Sequence, residues 1–262
     1  MTVAFDLISD LHLDTWPSEF DWSGCATSPY AIVAGDIAAD RTLLFKSLKN
    51  IGKCYQAVFF IDGNDEHAHS YHQLSQSYKE LSLGLSKIPN VVFLQNNVVV
   101  IDGIGILGTN GWWGFDFELS IDPSQCAQWW AEKENLTPEI AKKVARLATN
   151  DANYMISSVK RLQAHQDVKH IVMVTHTVPC QQLIEHDIDL DGSLRFNMMG
   201  NRDMLRALQS DHGNKIHTWC FGHYHGSVDQ IRHGIRFVNN CRGRHATPWS
   251  THVYHPRRIE IQ

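Results

Sequence analysis

The run Val3-Ala4-Phe5-Asp6-Leu7-Ile8-Ser9-Asp10-Leu11-His12 decides how the rest of the chain is read. Its first half is apolar enough for a buried strand, and its C-terminal end switches to an aspartate and a histidine two residues apart. In open α/β sheets, ligand sites lie just beyond the carboxyl ends of the strands, so Asp10 and His12 stand where chemistry is usually done. Alone, an Asp-x-His after a strand is most often a turn. It gains meaning only through repetition.

That repetition runs along the whole chain. A second apolar run, residues 30–34, leads into Gly35-Asp36, and a third, 57–61, ends in Asp62-Gly63-Asn64-Asp65-Glu66. Residues 169–175 lead to His176, and 216–221 to Gly222-His223-Tyr224-His225. Each strand end delivers an oxygen or nitrogen able to bind a metal. Between them, apolar spacing predicts helices over 41–50, 71–85, from Thr137-Pro138 to Leu162, and over 198–208. Short strands are expected at 91–94, 98–101 and 105–107, and a hairpin at 228–231 and 235–238 around His233-Gly234.

Donor type narrows the chemistry. Carboxylate, imidazole and carboxamide without thiolate suit Mn, Fe, Zn or Co rather than a structural thiolate zinc site. Asp10, His12, Asp36, Asn64, His176, His223 and His225 are too many for one ion with open positions, but suit two ions sharing a bridge. A shared carboxylate holds two cations ~3.5 to 4 Å apart, the spacing that clamps both oxygens of an in-line phosphoryl displacement. Asp36, central in chain order, is the natural bridge. Hydrolysis of a phosphate ester is the reaction expected.

The order Asp10-x-His12, Gly35-Asp36, Gly63-Asn64, His176, Gly222-His223-x-His225 resembles the calcineurin-like metallophosphoesterases across nearly the whole chain. That resemblance implies an α/β (α+β) fold in which two mixed β-sheets pack as a sandwich flanked by helices. It implies a dinuclear centre: Asp10, His12 and His225 on the first metal, Asn64, His176 and His223 on the second, Asp36 bridging, and attack on phosphorus by a hydroxide between the metals. Where the family often reads Gly-Asn-His, this chain reads Gly63-Asn64-Asp65. Asp65 is then the catalytic candidate at that position, able to orient a water or a histidine but ill suited as an acid, since a carboxylate beside two cations is ionised. His67 and His69 read as surface histidines at a helix start.

Other signals weigh less. Asp187-x-Asp189-x-Asp191-Gly192 imitates the start of a calcium loop, but Met198 stands where a bidentate glutamate is needed, so a solvated loop is expected. Gly111-Trp112-Trp113 offers faces for a nucleobase or a hydrophobic plug beneath a loop. Cys126 to Trp130 reads as the apolar side of a helix. Asn239-Asn240-Cys241-Arg242-Gly243-Arg244 resembles the family's Asn-Pro-Arg-Gly ending, and Arg242 is the arginine chosen to meet a substrate phosphate.

At 262 residues the chain suits one metallophosphoesterase domain, 1–262, with a helical cap or lid insertion around 111–165. The formal charge of −5 argues against a general polyanion binder. Its distribution is uneven, because residues 231–262 carry six arginines against Glu260. An anion could be met there. The chain lacks an apolar stretch of the ~18 to 20 residues that a membrane span needs, and its six scattered cysteines form no C-x-x-C pair. A soluble, unprocessed, cytoplasmic protein with free thiols is expected.

The function expected is metal-dependent hydrolysis of a small phosphodiester or nucleotide, with two divalent ions, Mn, Fe or Zn, and a small phosphate ester as partner. Alternatives are a phosphomonoesterase, protein phosphatases included, and a silent metal-binding interaction scaffold. A nuclease acting on a polymer would need a broad basic stripe, and only the tail is basic.

Overall fold

Where the sequence runs apolar without alternation, the chain forms strands buried on both faces, as parallel strands under two layers of cover require. The computed structural model describes residues 2–118, 121–184, 190–248 and 250–262. In the first sheet β1 (Val3–Ile8), β2 (Tyr30–Ala34), β3 (Ala57–Ile61) and β4 (Val91–Phe93) run parallel. The last strand, Arg257–Ile261, pairs antiparallel with β1 at the outer edge. The second sheet contains β5 (Asn97–Ile101), β6 (Ile104–Thr109), β7 (His170–Thr175), β8 (Ile216–Phe221), β9 (Asp229–Arg232) and β10 (Ile235–Asn239). Its order is β5-β6-β7-β8-β10-β9, with β6, β7, β8 and β10 parallel and the two edges antiparallel. The last strand, β11, completes the first sheet as β11-β1-β2-β3-β4.

The sheets face each other across Phe5, Leu7, Ile32, Phe59 and Ile61 on one side and Ile106, Val172, Val174, Cys220 and Val238 on the other. Helices α1 (Arg41–Gly52) and α2 (Leu74–Leu85) cover the outer face of the first sheet, burying Leu44, Leu48, Ile51 and Leu81 against Val33, Val58 and Phe60. Helix α3 (Pro123–Lys133) packs on the first turns of α4 (Pro138–Ala164), whose later turns lay Met155, Val159 and Leu162 on the second sheet. A short helix, α5 (Leu190–Phe196), follows. This is the expected sandwich of two mixed sheets between helical layers. Among the described residues no helix is long and apolar enough to cross a membrane.

Three elements depart from their sequence reading. The helix expected from residue 71 starts at Leu74, because residues 65–73 form a 3₁₀ stretch broken at Ser70, where φ is −137°. The helix expected over 198–208 is instead a 3₁₀ segment, Arg202–Ser210, capped by the Asn201 side-chain oxygen, which accepts from the Asp203 backbone N–H. Gly200 pairs with Val178 in a β-bridge so close that a Cβ would meet the Val178 carbonyl at 2.2 Å, which ends any helix there. The basic tail, read from sequence only for its charge, ends in strand β11, where Arg258-Ile259-Glu260-Ile261 alternates with period two and buries both isoleucines. Asp187 and Asp189 of the calcium-loop-like run lie outside the described residues. All six cysteines are free, with Cys180 and Cys220 buried as small apolar groups.

Candidate metal centre

At the carboxyl ends of β1, β2, β3, β7 and β8 the backbone turns sharply. Asp10, His12, Asp36 and His223 all have positive φ, between 43° and 65°. Aspartate and histidine tolerate this left-handed region better than bulky residues do, and such strain gathers at functional sites. The turns interlock the strand ends: Asp10 N–H donates to the Gly35 carbonyl at 2.9 Å, His12 N–H to that of Asp36 at 3.0 Å, and Gly222 N–H to that of His176 at 2.8 Å. Gly35, at φ +85°, and Gly63 sit where side chains cannot. A Cβ on Gly63 would lie 2.1 Å from Asp36 Oδ1 and 2.8 Å from His176 Cε1.

The side chains converge on one small volume. Asp10, His12 and His225 form one group, Asp36, His176 and His223 a second, and His12, Asp36 and Asp65 a third, each with its ligand atoms within 4.8 Å of one another. Asp36 Oδ2 lies between the first two, 3.8 Å from His12 Nε2 and 3.4 Å from His176 Nε2. His225 Nε2 is 3.0 Å from His12 Nε2 and 3.5 Å from Asp10 Oδ1. Asn64 Oδ1 stands 3.1 Å from His176 Nε2. All seven residues expected as ligands are thus brought together. Asp10, His12, Asp36 and His176 are buried, while Asn64, His223 and His225 stay half-buried at the mouth; these hard oxygens and imidazole nitrogens are the donor set that a divalent cation fits.

Neighbouring groups fix the ring orientations. His12 Nδ1 is 2.9 Å from Asp65 Oδ2, and His176 Nδ1 is 2.9 Å from the Ala34 carbonyl. Both partners only accept, so each Nδ1 carries a proton and each Nε2 is turned toward the cluster. Asp10 accepts from Ser9 Oγ at 2.5 Å, from the His223 backbone N–H at 2.9 Å, and from the Cys241 thiol at 2.9 Å. Burial alone would raise the Asp10 and Asp36 carboxyls. The surrounding imidazoles, His225 and His176 for Asp10 and His176 and His12 for Asp36, instead hold both well below the usual carboxylate range. Burial opposes a charged His176, yet Asp36 pushes its pKa up to about 10, whereas burial and the charge of His176 drive His223 down to about 3.

Asp65 does not stand as an isolated acid. It receives His12 through Oδ2, Asn64 Nδ2 through Oδ1 at 3.1 Å, and the Arg244 guanidinium at 2.5 Å. Arg244, not Arg242, is the arginine that touches the cluster. Arg242 is buried, its guanidinium carbon 3.6 Å over the Trp16 ring. Sequence reasoning also passed over Glu66, although it stands in the quoted Gly63-to-Glu66 run. Its buried carboxylate accepts backbone N–H groups of Gly63 at 2.6 Å, Ile37 at 2.7 Å and Asp36 at 2.9 Å, clamping two strand-end turns together. Burial and the nearby Asp36 charge push it up to about 8. His67, expected at the surface, is fully buried between Asp62 and Ser77, 2.8 Å from each. The core behind the turn needs a polar partner for Asp62, and His67 supplies it; His69 is exposed.

Trp112 and Trp113 divide the two roles considered for them. Trp112 is fully buried and donates to the Tyr78 hydroxyl at 2.7 Å, a plug beneath its loop. Trp113 stacks on His223, the rings 22° apart in plane and 5.6 Å between centroids. It also lines a cavity of about 260 Å³ whose wall includes Asn64.

No family model matches the chain. An uncharacterised protein of Acanthamoeba polyphaga mimivirus is 21% identical over 229 residues, covering 82% of this chain and 78% of the viral one. In fold, the chain is similar to a phosphopantetheinyl hydrolase from Mycobacterium tuberculosis, with a TM-score of 0.69, 18% identity, and coverage of 94% and 93% of the two chains. It is also similar to a dimetal phosphatase from Danio rerio, with a TM-score of 0.54, 11% identity, and coverage of 94% and 89%. At these identities the likeness is one of fold.

Proposed function

We propose that this chain, whose fold is that of the calcineurin-like metallophosphoesterases, hydrolyses a small phosphate ester at two divalent cations, a phosphodiester or nucleotide before a monoester. The observation that carries the reading is the position of Asp36 Oδ2 between two separate groups of ligand atoms. Asp10, His12 and His225 would hold one cation, Asn64, His176 and His223 the other, and Asp36 would be shared. Bound there, Mn, Fe or Zn would supply Lewis acidity, lowering the pKa of water and neutralising charge on phosphate oxygens.

The chain's own residues prepare that site. Asp65 holds the proton on His12 Nδ1 and the Ala34 carbonyl holds the one on His176 Nδ1, so both Nε2 atoms face inward. Glu66 anchors the two turns that carry Asp36 and Asn64. Arg244, half exposed beside Asp65, keeps N–H groups at the rim where a phosphate oxygen would sit. Trp113, stacked on His223, excludes water from one side of the cluster. Asp65, bonded to both Arg244 and His12, acts as a positioning residue for His12 rather than as the acid for the leaving oxygen. A substrate with a stable leaving group suits such a site.

The test is hydrolysis of an aryl phosphodiester and an aryl phosphomonoester by metal-stripped protein refilled with Mn, beside Asp36→Asn. Metal-dependent turnover, a content of two metals per chain and loss of at least ~100-fold in Asp36→Asn are expected. Two bound metals with no turnover of either ester would favour the silent scaffold.

A further inference from the structure

The two oxygens of Asp10 have different surroundings. Oδ1 faces the imidazoles, 3.5 Å from His225 Nε2 and 3.9 Å from His12 Nε2. Oδ2 meets a ring of donors instead: the Ser9 hydroxyl at 2.5 Å, the Cys241 thiol at 2.9 Å and the His223 backbone N–H at 3.1 Å. Gly222 closes a further side, since a Cβ there would lie 2.5 Å from Oδ2. A carboxylate oxygen has about two lone-pair directions, so these donors leave Oδ2 none for a cation. Oδ1 shares only the His223 N–H, at 2.9 Å, and keeps one.

The backbone brings the thiol there from 231 residues away. Ser9 and Cys241 face each other in a parallel β-bridge, in which Ser9 N–H donates to the Asn240 carbonyl and Arg242 N–H to the Ser9 carbonyl, both at 3.2 Å. Their side chains lie 3.2 Å apart, Oγ to Sγ, on the same acceptor. The thiol has one proton and two acceptors at 2.9 Å, Asp10 Oδ2 and the Tyr224 carbonyl. The carboxylate is the stronger acceptor, because its charge assists the bond. Ser9 is fully buried and Cys241 half-buried, so water competes little for either donor.

We infer that Cys241, together with Ser9, is a positioning residue for the first cation: the two side chains hold Asp10 Oδ2, and Asp10 meets the cation through Oδ1 alone. The inference rests on the reading of Asp10, His12 and His225 as ligands. It adds a selectivity to that reading. Calcium takes about six to eight oxygens and often uses both oxygens of a carboxylate, whereas a single oxygen beside two imidazoles suits Mn, Fe or Zn. Without the thiol, Asp10 is freer to turn both oxygens inward, which weakens the hold on the smaller ion and narrows the discrimination against calcium.

The S–H stretch falls in an infrared window clear of other protein bands, and it drops in frequency when the thiol donates to a carboxylate. A cation on Oδ1 draws charge from Oδ2 and weakens that bond. Loading metal-stripped wild type with Mn is therefore expected to raise the frequency of one S–H band, the band that is absent from Cys241→Ser. If no S–H band moves, the thiol's proton belongs to the Tyr224 carbonyl and the inference is overturned, with no variant needed to fold. In Cys241→Ala, Mn affinity at one of the two ions, measured by calorimetry, is expected to fall about tenfold. Calcium affinity, read by competition, falls less, so the preference for Mn narrows, and Cys241→Ser, which keeps a donor, restores it. Unchanged Mn affinity in Cys241→Ala, equal losses for Mn and calcium, or a serine variant as poor as the alanine one would each reduce Cys241 to packing and overturn the inference. Wild type that binds no Mn at all would sink the metal reading itself, and this inference with it.

Discussion

Asp65 carries more of the site's geometry than its single carboxylate suggests. It fixes the proton on His12 Nδ1, receives Arg244, and through its backbone N–H donates to Asp36 Oδ1 at 2.8 Å. A carboxylate behind a ligating histidine raises the ring's basicity and locks its orientation. Asp65→Asn keeps the shape but weakens the acceptor and removes the charge that Arg244 faces. We expect metal affinity to fall about 10- to 100-fold, measured by competition with a chromophoric chelator, with secondary structure unchanged. An affinity equal to wild type would leave Asp65 without this positioning role.

At the scale of elements, the site depends on strand ends being packed closer than side chains permit. Gly63 approaches Asp36 and His176 so tightly that a methyl group must displace one of them, and each is the rigid end of a buried turn. Gly63→Ala is therefore expected to abolish binding of at least one metal ion, read as metal content after dialysis. Gly24 provides the contrast. It too has positive φ, at 69°, but a Cβ there meets nothing within 4 Å. Gly24→Ala is expected to cost only about 1 kcal/mol of backbone strain, with metal content intact. Equal metal content in both variants would mean that the close approach at Gly63 is not what places the ligands.

Across the whole molecule, the charge asymmetry of the tail is met in part from within. Arg236 and Arg257 share Asp229, Arg258 pairs with Glu260, and Arg244 turns to Asp65. A buried carboxylate far along the chain governs stability in a different way. Asp151, in α4, accepts the backbone N–H groups of Gly111 and Trp112, at 3.0 and 3.3 Å, and so ties the helix to the loop that carries the tryptophans. Burial pushes its pKa up to about 7, despite those hydrogen bonds. In the unfolded chain an aspartate titrates near ~3.9. From pH ~4 to 7 the folded state therefore retains a proton that the unfolded state has lost, and this group's contribution to stability declines as pH rises through that window. Denaturant melts of wild type and Asp151→Asn should show the difference moving in favour of the variant by up to ~1 kcal/mol per pH unit between those limits. A difference that does not change with pH would place the Asp151 pKa near its ordinary value.

Much of the site was legible before any folding was considered, because a ligand at a strand end is a local feature. An apolar run and the polar residue that follows it are adjacent in sequence, and five such junctions announced Asp10 and His12, Asp36, Asn64, His176, and His223 with His225. Donor chemistry travels with residue type, so the kind of ion could be argued from composition. What sequence left open depends on residues distant along the chain. Nothing local tells that Arg244 rather than Arg242 reaches Asp65, 179 residues away. Neither does it tell that Trp113 lies on His223 while Trp112 is sealed in the core, or that β11 crosses back to pair with β1. Sequence by itself determined which atoms could bind a metal and at which strand ends they stand. Only the tertiary structure decided their spacing, their orientation and the aromatic cavity beside them, since those follow from how the two sheets and their helices pack.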